Sequence, residues 1–214
     1  MEKIEVVVCF DLWNTLVATA TELRNGYAGV LTGLGAPSHE IYPFVRDTLM
    51  ASSLGYEQLA LALLERFRIG ASREAARLIA ELWSLENSSA RWLKNAERAL
   101  HKSRTPGTSL VLVTNTTAPA WSQVDAKLGV ASHFDRLFLS FNRHVAKPSP
   151  TVWQEVEGWY QDVPPERFWM VGDREEDDLR VPKSRGWNTV HIQSERDLKS
   201  VHLAVHLPLL AWWC

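Results

Sequence analysis

Four short groups of residues could do chemistry together. They are Asp11-Leu12-Trp13-Asn14-Thr15-Leu16, Thr114-Asn115-Thr116, Lys147-Pro148-Ser149-Pro150 and Gly172-Asp173 followed by Glu175, Glu176, Asp177 and Asp178. They offer a carboxylate, a hydroxyl–amide pair, a lysine and an acidic cluster. An Asp after an apolar run is, taken singly, more often a helix cap or a turn residue. Four such groups in order, each next to an apolar run, are hard to obtain by accident.

The elements that must position them are legible as apolar runs at Ile4–Phe10, Leu110–Val113, Leu137–Phe141, Phe168–Val171 and Thr189–Ile192. Little polar alternation interrupts them, as expected of strands buried on both faces. Helix-length stretches at 118–128, 150–160 and 178–185 separate the last four, with Gly129 and Gly186 placed to stop two of them. This repeated strand–helix–strand spacing predicts an α/β fold, a three-layer Rossmann-like parallel sheet with helices on both faces. In such sheets ligands bind beyond the carboxyl ends of the strands, where all four groups fall.

About a hundred residues separate Asp11 from Thr114, far more than a crossover needs. Helical stripes fill the gap: Leu23–Leu34, Ile41–Leu49, Tyr56–Phe67 and Ala75–Trp83, the last with Ser72 as N-cap. Gly35–Ser38, Ser52–Gly55 and Gly70-Ala71-Ser72 punctuate them. Residues 18–86 thus form an expected four-helix insertion, leaving 1–17 plus 87–214 as the sheet domain. A helix near 89–102 is expected to return the chain to the sheet.

Composition sets the remaining bounds. The 214 residues are 46% hydrophobic and 22% charged, ordinary for a globular chain. With 23 Lys+Arg against 25 Asp+Glu there is no basic field for nucleic acid. Two cysteines, Cys9 in an apolar run and Cys214 at the end, argue against a disulfide scaffold. The apolar run Val6–Phe10 is too short for a signal peptide. The tract near the end, broken by His206 and Pro208, is too short to span a bilayer. A cytoplasmic protein with no membrane partner is expected. Leu203–Trp213 reads as a docked terminal helix, with a dimer contact as the alternative; monomer and homodimer stay open. His202 and His206 lack the partners of a zinc site. Most of the ten tryptophans are expected in the core.

Taken jointly, the strand-plus-Asp opening with Thr15-Leu16, the Thr114-Asn115 pair, the Lys147-Pro148 step and the Gly172-Asp173 acidic loop resemble the haloacid dehalogenase-like hydrolase superfamily. The helical insertion resembles that family's small cap. The resemblance implies Asp11 as nucleophile and a phosphoryl group held by Thr114, the Asn115 amide and nearby backbone amides. It also implies Mg²⁺ held by Asp11, the Trp13 backbone carbonyl, Asp173 and Asp178, with Asp177 the alternative to Asp178. Physical logic fits these roles. A carboxylate can attack phosphorus and divide one hard step into two. Mg²⁺ takes oxygen ligands and suits one or two carboxylates plus a phosphate. Lys147 supplies fixed positive charge. Glu175 and Glu176 read as solvated loop acids.

One position departs from the family pattern. Its phosphatases carry a second Asp two residues after the nucleophile, as general acid and base. Here Trp13 stands there, and an indole cannot do that work. Asn14 replaces the usual Gly in a turn where Asn tolerates unusual φ. Three readings follow. Another group, His39, Tyr27 or Glu22, supplies the proton, or the substrate is a small phosphate with a good leaving group, such as an acyl or aryl phosphate. Otherwise the reaction differs: family dehalogenases also place an aromatic residue here, since halide leaves unprotonated. Those enzymes tend to carry a cap Arg, for which only Arg46 or Arg24 offers itself, and a Tyr where this chain has Trp153. A catalytically weak binding or regulatory protein is the remaining alternative. Phosphatase chemistry on a small molecule is the primary expectation.

Overall fold

The computed structural model describes residues 3–70 and 72–210. Ala71 of the expected Gly70–Ser72 break, the last residues of the expected Leu203–Trp213 helix, and Cys214 lie outside the described residues.

Five parallel strands form the central sheet: β1 (Val6–Phe10), β4 (Thr108–Thr114), β5 (Arg136–Leu139), β6 (Phe168–Gly172) and β7 (Asn188–His191). Their order is β5-β4-β1-β6-β7, with β1 central between β4 and β6. The apolar runs became strands because both faces are covered. Val6, Val8 and Phe10 share a cluster with Ala96, Ala99 and Leu100 of α5 (Ala96–Ser103), Val124 of α6 (Ala118–Leu128), and Val201 and Val205 of α10 (Val201–Leu210). Val7 and Cys9 face the opposite layer, with Val152, Trp153 and Val156 of α8 (Pro150–Gly158). Period-two alternation along one buried strand thus feeds two cores. The described part of the terminal helix docks on its own chain through Val201 and Val205.

Between β1 and β4 the chain forms α1 (Gly26–Gly33), α2 (Ser38–Phe44), a π-helical turn (Val45–Leu49), α3 (Tyr56–Arg66) and α4 (Arg73–Ser88). These bury their own cluster, centred on Tyr27, Leu31, Leu59, Leu63, Ile79 and Trp83. The Ser72 hydroxyl accepts from Ala75 N at 3.1 Å, the expected N-cap. Pro43, which has no N–H to donate, sits where α2 gives way to the π-turn, closed by Met50 N donating to Val45 O at 2.8 Å.

Three expectations need correction. The return helix begins at Ala96, not 89, because Asn95 takes a left-handed φ of 73° and Arg91–Trp92 is strand β3. Strand β3 pairs antiparallel with β2 (Val17–Ala18), joining the two passages between sheet and helices. The run Leu137–Phe141 is strand only to Leu139. Ser140 opens α7 (Ser140–Arg143), and its hydroxyl accepts from Thr116 N at 3.0 Å. The stretch 178–185 is not one helix. It is a π-helical turn at Glu175–Leu179 followed by α9 (Arg180–Ser184). No described helix is long and apolar enough to cross a membrane.

Candidate active site

The carboxyl edge of the sheet carries a buried ionic cluster. Asp11 follows β1, and its backbone N–H continues the ladder onto Val171 O at 2.9 Å. Lys147 is 2% exposed; its ammonium donates to Asp11 Oδ1 at 2.7 Å and to Asp178 Oδ1 at 2.6 Å. One carboxylate oxygen each from Asp11, Asp173 and Asp178 lies within 4.8 Å of the others. Thr15 Oγ1 donates to Asp173 Oδ1 at 3.4 Å. The structure therefore brings Asp11, Lys147, Asp173 and Asp178 together.

Local geometry explains the positioning. The Asn115 side chain clamps the Lys147 backbone in both directions: Nδ2 donates to its carbonyl at 2.9 Å and Oδ1 accepts from its N–H at 2.8 Å. A Cβ on Gly172 would fall 2.5 Å from Asp178 Cβ, so only glycine lets that aspartate lie over the end of β6. Arg174 N then donates to Asp178 Oδ2 at 3.0 Å. Adjacent residues of the π-turn point to different partners. Asp178 faces Lys147, while the buried Asp177 accepts from Arg46 Nη1 (2.9 Å), Tyr42 OH (3.2 Å) and Arg174 Nε (2.6 Å). Arg46 and Tyr42 belong to the inserted helical segment, so Asp177 ties it to the sheet edge. Glu175 and Glu176 are exposed.

A cavity of about 500 Å³ opens over the cluster. Asp11, Lys147, Asp173 and the half-buried Trp13 form its floor; Arg24, Tyr27, Trp83 and Glu86 line it from the helices and the loop before them. Asn14 follows Trp13 with φ of 59°, the unusual turn conformation expected there. Thr114 is fully buried and does not line the cavity, whereas Asn115, Thr116 and Thr117 do. The buried hydroxyls of Thr116 and Thr117 have no hydrogen-bond partner among the described groups, and Thr117 is the N-cap residue of α6. Donors left open beside a helix N-terminus suit an anion.

The electrostatics show an excess of negative charge. Burial, opposed by Lys147 and reinforced by Asp178 and Asp173, pushes Asp11 up to about 7. Asp173 is raised by burial and then by Asp178. Burial alone would lower Lys147, but Asp11 and Asp178 hold it above its ordinary value, so it stays charged. Three carboxylates facing one ammonium form an oxygen-only donor set with unmet charge, which fits a hard divalent cation.

Among the expected proton sources, Tyr27 lines the cavity, and burial pushes its hydroxyl up. Glu22 and His39 are exposed and do not line it. Of the residues considered for halide chemistry, Arg24 lines the cavity and Arg46 is held by Asp47 and Asp177. Trp153 is fully buried in the opposite layer against Trp187. The sequence reading grouped Thr116 with Thr114 and Asn115 without giving it a role, and it missed Thr117, which directly continues that group. It also missed Glu86, whose place at the cavity depends on how the helices dock.

A parallel sheet with a buried Asp–Lys pair and an acidic loop at its carboxyl edge defines a hydrolase-type α/β site. The family model for haloacid dehalogenase-like hydrolases matches residues 6–184, and the chain belongs to that family. It is 28% identical over 123 residues to a phosphoserine phosphatase of Thermus thermophilus, covering 58% of this chain; the match spans 49% of that relative's length, about half. A haloacid dehalogenase-like hydrolase structure from Xanthomonas campestris superposes with a TM-score of 0.69 at 17% identity, over 96% of this chain and 92% of that one. A 2-haloacid dehalogenase from Pseudomonas syringae gives 0.61 at 19% identity, over 99% and 100%. A HAD family enzyme of Bacteroides thetaiotaomicron, in complex with magnesium and inorganic phosphate, gives 0.60 at 15%, over 89% and 94%. At these identities the structural likenesses concern the fold.

Proposed function

We propose that the chain is a Mg²⁺-dependent phosphatase acting on a small phosphorylated molecule through an aspartyl-phosphate at Asp11. Residues 1–17 and 87–214 serve as the catalytic domain and 18–86 as a helical cap. The observation that carries this is the Asp11–Lys147 contact of 2.7 Å inside a three-carboxylate cluster, at the floor of a cavity sized for a small molecule. The magnesium complex of the Bacteroides enzyme and the name of the Thermus relative point the same way.

Asp11 Oδ attacks phosphorus while the bond to the leaving oxygen breaks; water then attacks the acyl phosphate, releasing phosphate and restoring Asp11. Lys147 neutralises the attacking carboxylate, so two anions can approach. The open hydroxyls of Thr116 and Thr117, and the amides at the start of α6, receive the phosphoryl oxygens. Thr114 supports that loop from beneath. Asp11, the Trp13 carbonyl, Asp173 and Asp178 would hold Mg²⁺, which would supply positive charge to offset the repulsion between two anions. Trp13 cannot protonate a leaving oxygen, so acyl and aryl phosphates are favoured over alkyl esters.

Phosphate release from p-nitrophenyl phosphate tests this. Release with Mg²⁺ that stops with EDTA supports the reading; metal-independent turnover defeats it. The half-buried Trp13 on the cavity floor favours one second reading, a 2-haloacid dehalogenase in which Asp11 displaces halide. Chloride release from 2-chloropropionate without metal would establish it. Arg46, committed to Asp177, and Trp153, buried away from the cavity, argue against it.

A further inference from the structure

Glu86 is a buried acid that the proposed chemistry does not use. It lies near the end of α4, is 9% exposed and lines the cavity. Its Oε2 accepts from Asn25 N at 3.1 Å. Among the described residues, no lysine, arginine or histidine nitrogen lies within 4.0 Å of its carboxylate. Arg24, whose charge it feels, stays beyond that distance and is exposed. A buried carboxylate without a cation is costly, and folds usually pair it.

Tyr27 and Trp83 line the same cavity, stacked on each other with ring centroids 4.3 Å apart, and form a rigid, largely apolar wall beside this carboxylate. Glu86 and Trp83 belong to α4 and Tyr27 to α1, so they line the cavity from the inserted helices, whereas Asp11 and Lys147 line it at the sheet edge. Glu86 therefore faces the part of a substrate that is not the phosphoryl group.

The geometry points to an ammonium-binding subsite: Glu86, beside Tyr27 and Trp83, receives a primary or quaternary ammonium carried by the leaving portion of the phosphate. The inference rests on the phosphatase reading for the sheet side of the cavity. The substrate class is a small ammonium-bearing phosphate with an acyl or aryl leaving portion, in keeping with Trp13. Glu86 is a specificity residue, and the proton problem left by Trp13 is separate from it.

Calorimetric binding with Mg²⁺ present tests this without turnover, using 2-aminoethylphosphonate and its neutral isostere propylphosphonate. The wild-type protein should bind the amine about tenfold more tightly, a difference of one ion pair. Glu86→Gln keeps an oxygen for Asn25 N, and it should erase that preference. Equal binding of both ligands, no binding of the amine, or a preference that survives Glu86→Gln overturns the subsite. So does an equal loss for both ligands, which would mark Glu86 as structural or as a proton donor. Loss of the preference in Glu86→Gln, with no phosphate ester turned over, leaves the subsite standing and removes the phosphatase reading. Turnover of p-nitrophenyl phosphate without amine preference does the reverse.

Discussion

Lys147 Nζ donates to Asp11 Oδ1 across 2.7 Å, joining two chain positions 136 residues apart. The ammonium is the one cation recorded within ion-pair distance of Asp11 among the described residues, and it also reaches Asp178. Lys147→Met removes it and leaves Asp11 and Asp178 buried without a cation, Asp178 keeping the Arg174 N–H. Breaking a buried pair in this way should cost about 3–5 kcal/mol of stability. Urea denaturation checks this, and phosphate release should fall below detection. A variant of near wild-type stability would mean that the pair is dispensable to the fold.

Trp13 occupies the position where an acid would assist the leaving group. Trp13→Asp should raise kcat/KM for an alkyl phosphate about 10²-fold, the lower end of general acid catalysis. p-Nitrophenyl phosphate, whose leaving group needs no proton, should gain less in its first step. The ratio kcat/KM, set by that first step, measures the contrast between the two substrates. Equal gains would place the limitation elsewhere.

Arg46 reaches from the inserted helices to Asp177, which Arg174 also holds. Arg46→Ala leaves Asp177 paired with Arg174 and the fold intact, but loosens the tie between the inserted helices and the sheet edge. KM should rise about fivefold, an effect of about 1 kcal/mol, with a smaller change in kcat. Limited proteolysis should cut the segment between β2 and β3 sooner. Unchanged KM and proteolysis would show that Asp177 does not tie the helices to the sheet edge.

Burial raises Glu86 above its ordinary 4.5, with the Asn25 backbone, Arg24 and Thr19 pulling the other way. The sign follows. The folded state holds this proton more tightly than the unfolded one, so Glu86 costs stability progressively as pH climbs past 4.5. Glu86→Gln should therefore raise Tm at pH 7.5 by about 2–4 °C and leave it nearly unchanged at pH 4. Thermal melts across that range check it. A Tm loss at neutral pH would show that the charge is stabilising.

How much of this was legible depended on the length of the pattern. The five strands were visible because Val, Leu, Ile and Phe fill them, a consequence of burial on both faces. Strands β2 and β3 were not, since two residues carry no periodicity. The breaks near 44 and 179 depended on π-helical turns, which hydrophobic stripes do not encode. Asp11, Lys147 and Asp173 could be found as polar residues at strand ends. Neighbouring Asp177 and Asp178 could not be told apart by sequence, since one residue's rotation in the π-turn decides which faces Lys147 and which faces Arg46. Glu86 carries no signal in the sequence, and only docking of its helix makes it a cavity wall.

The proposed reaction requires covalent chemistry at Asp11. Without an acid/base at position 13, hydrolysis of the acyl phosphate is slow relative to its formation, so the adduct should accumulate. Acid-quenched protein from a reaction with acetyl phosphate and Mg²⁺ can be digested and weighed by mass spectrometry. One phosphoryl group is expected on the peptide containing Asp11, absent in Asp11→Asn and discharged by hydroxylamine. Steady phosphate release with an unmodified Asp11 peptide, or full activity in Asp11→Asn, would contradict it.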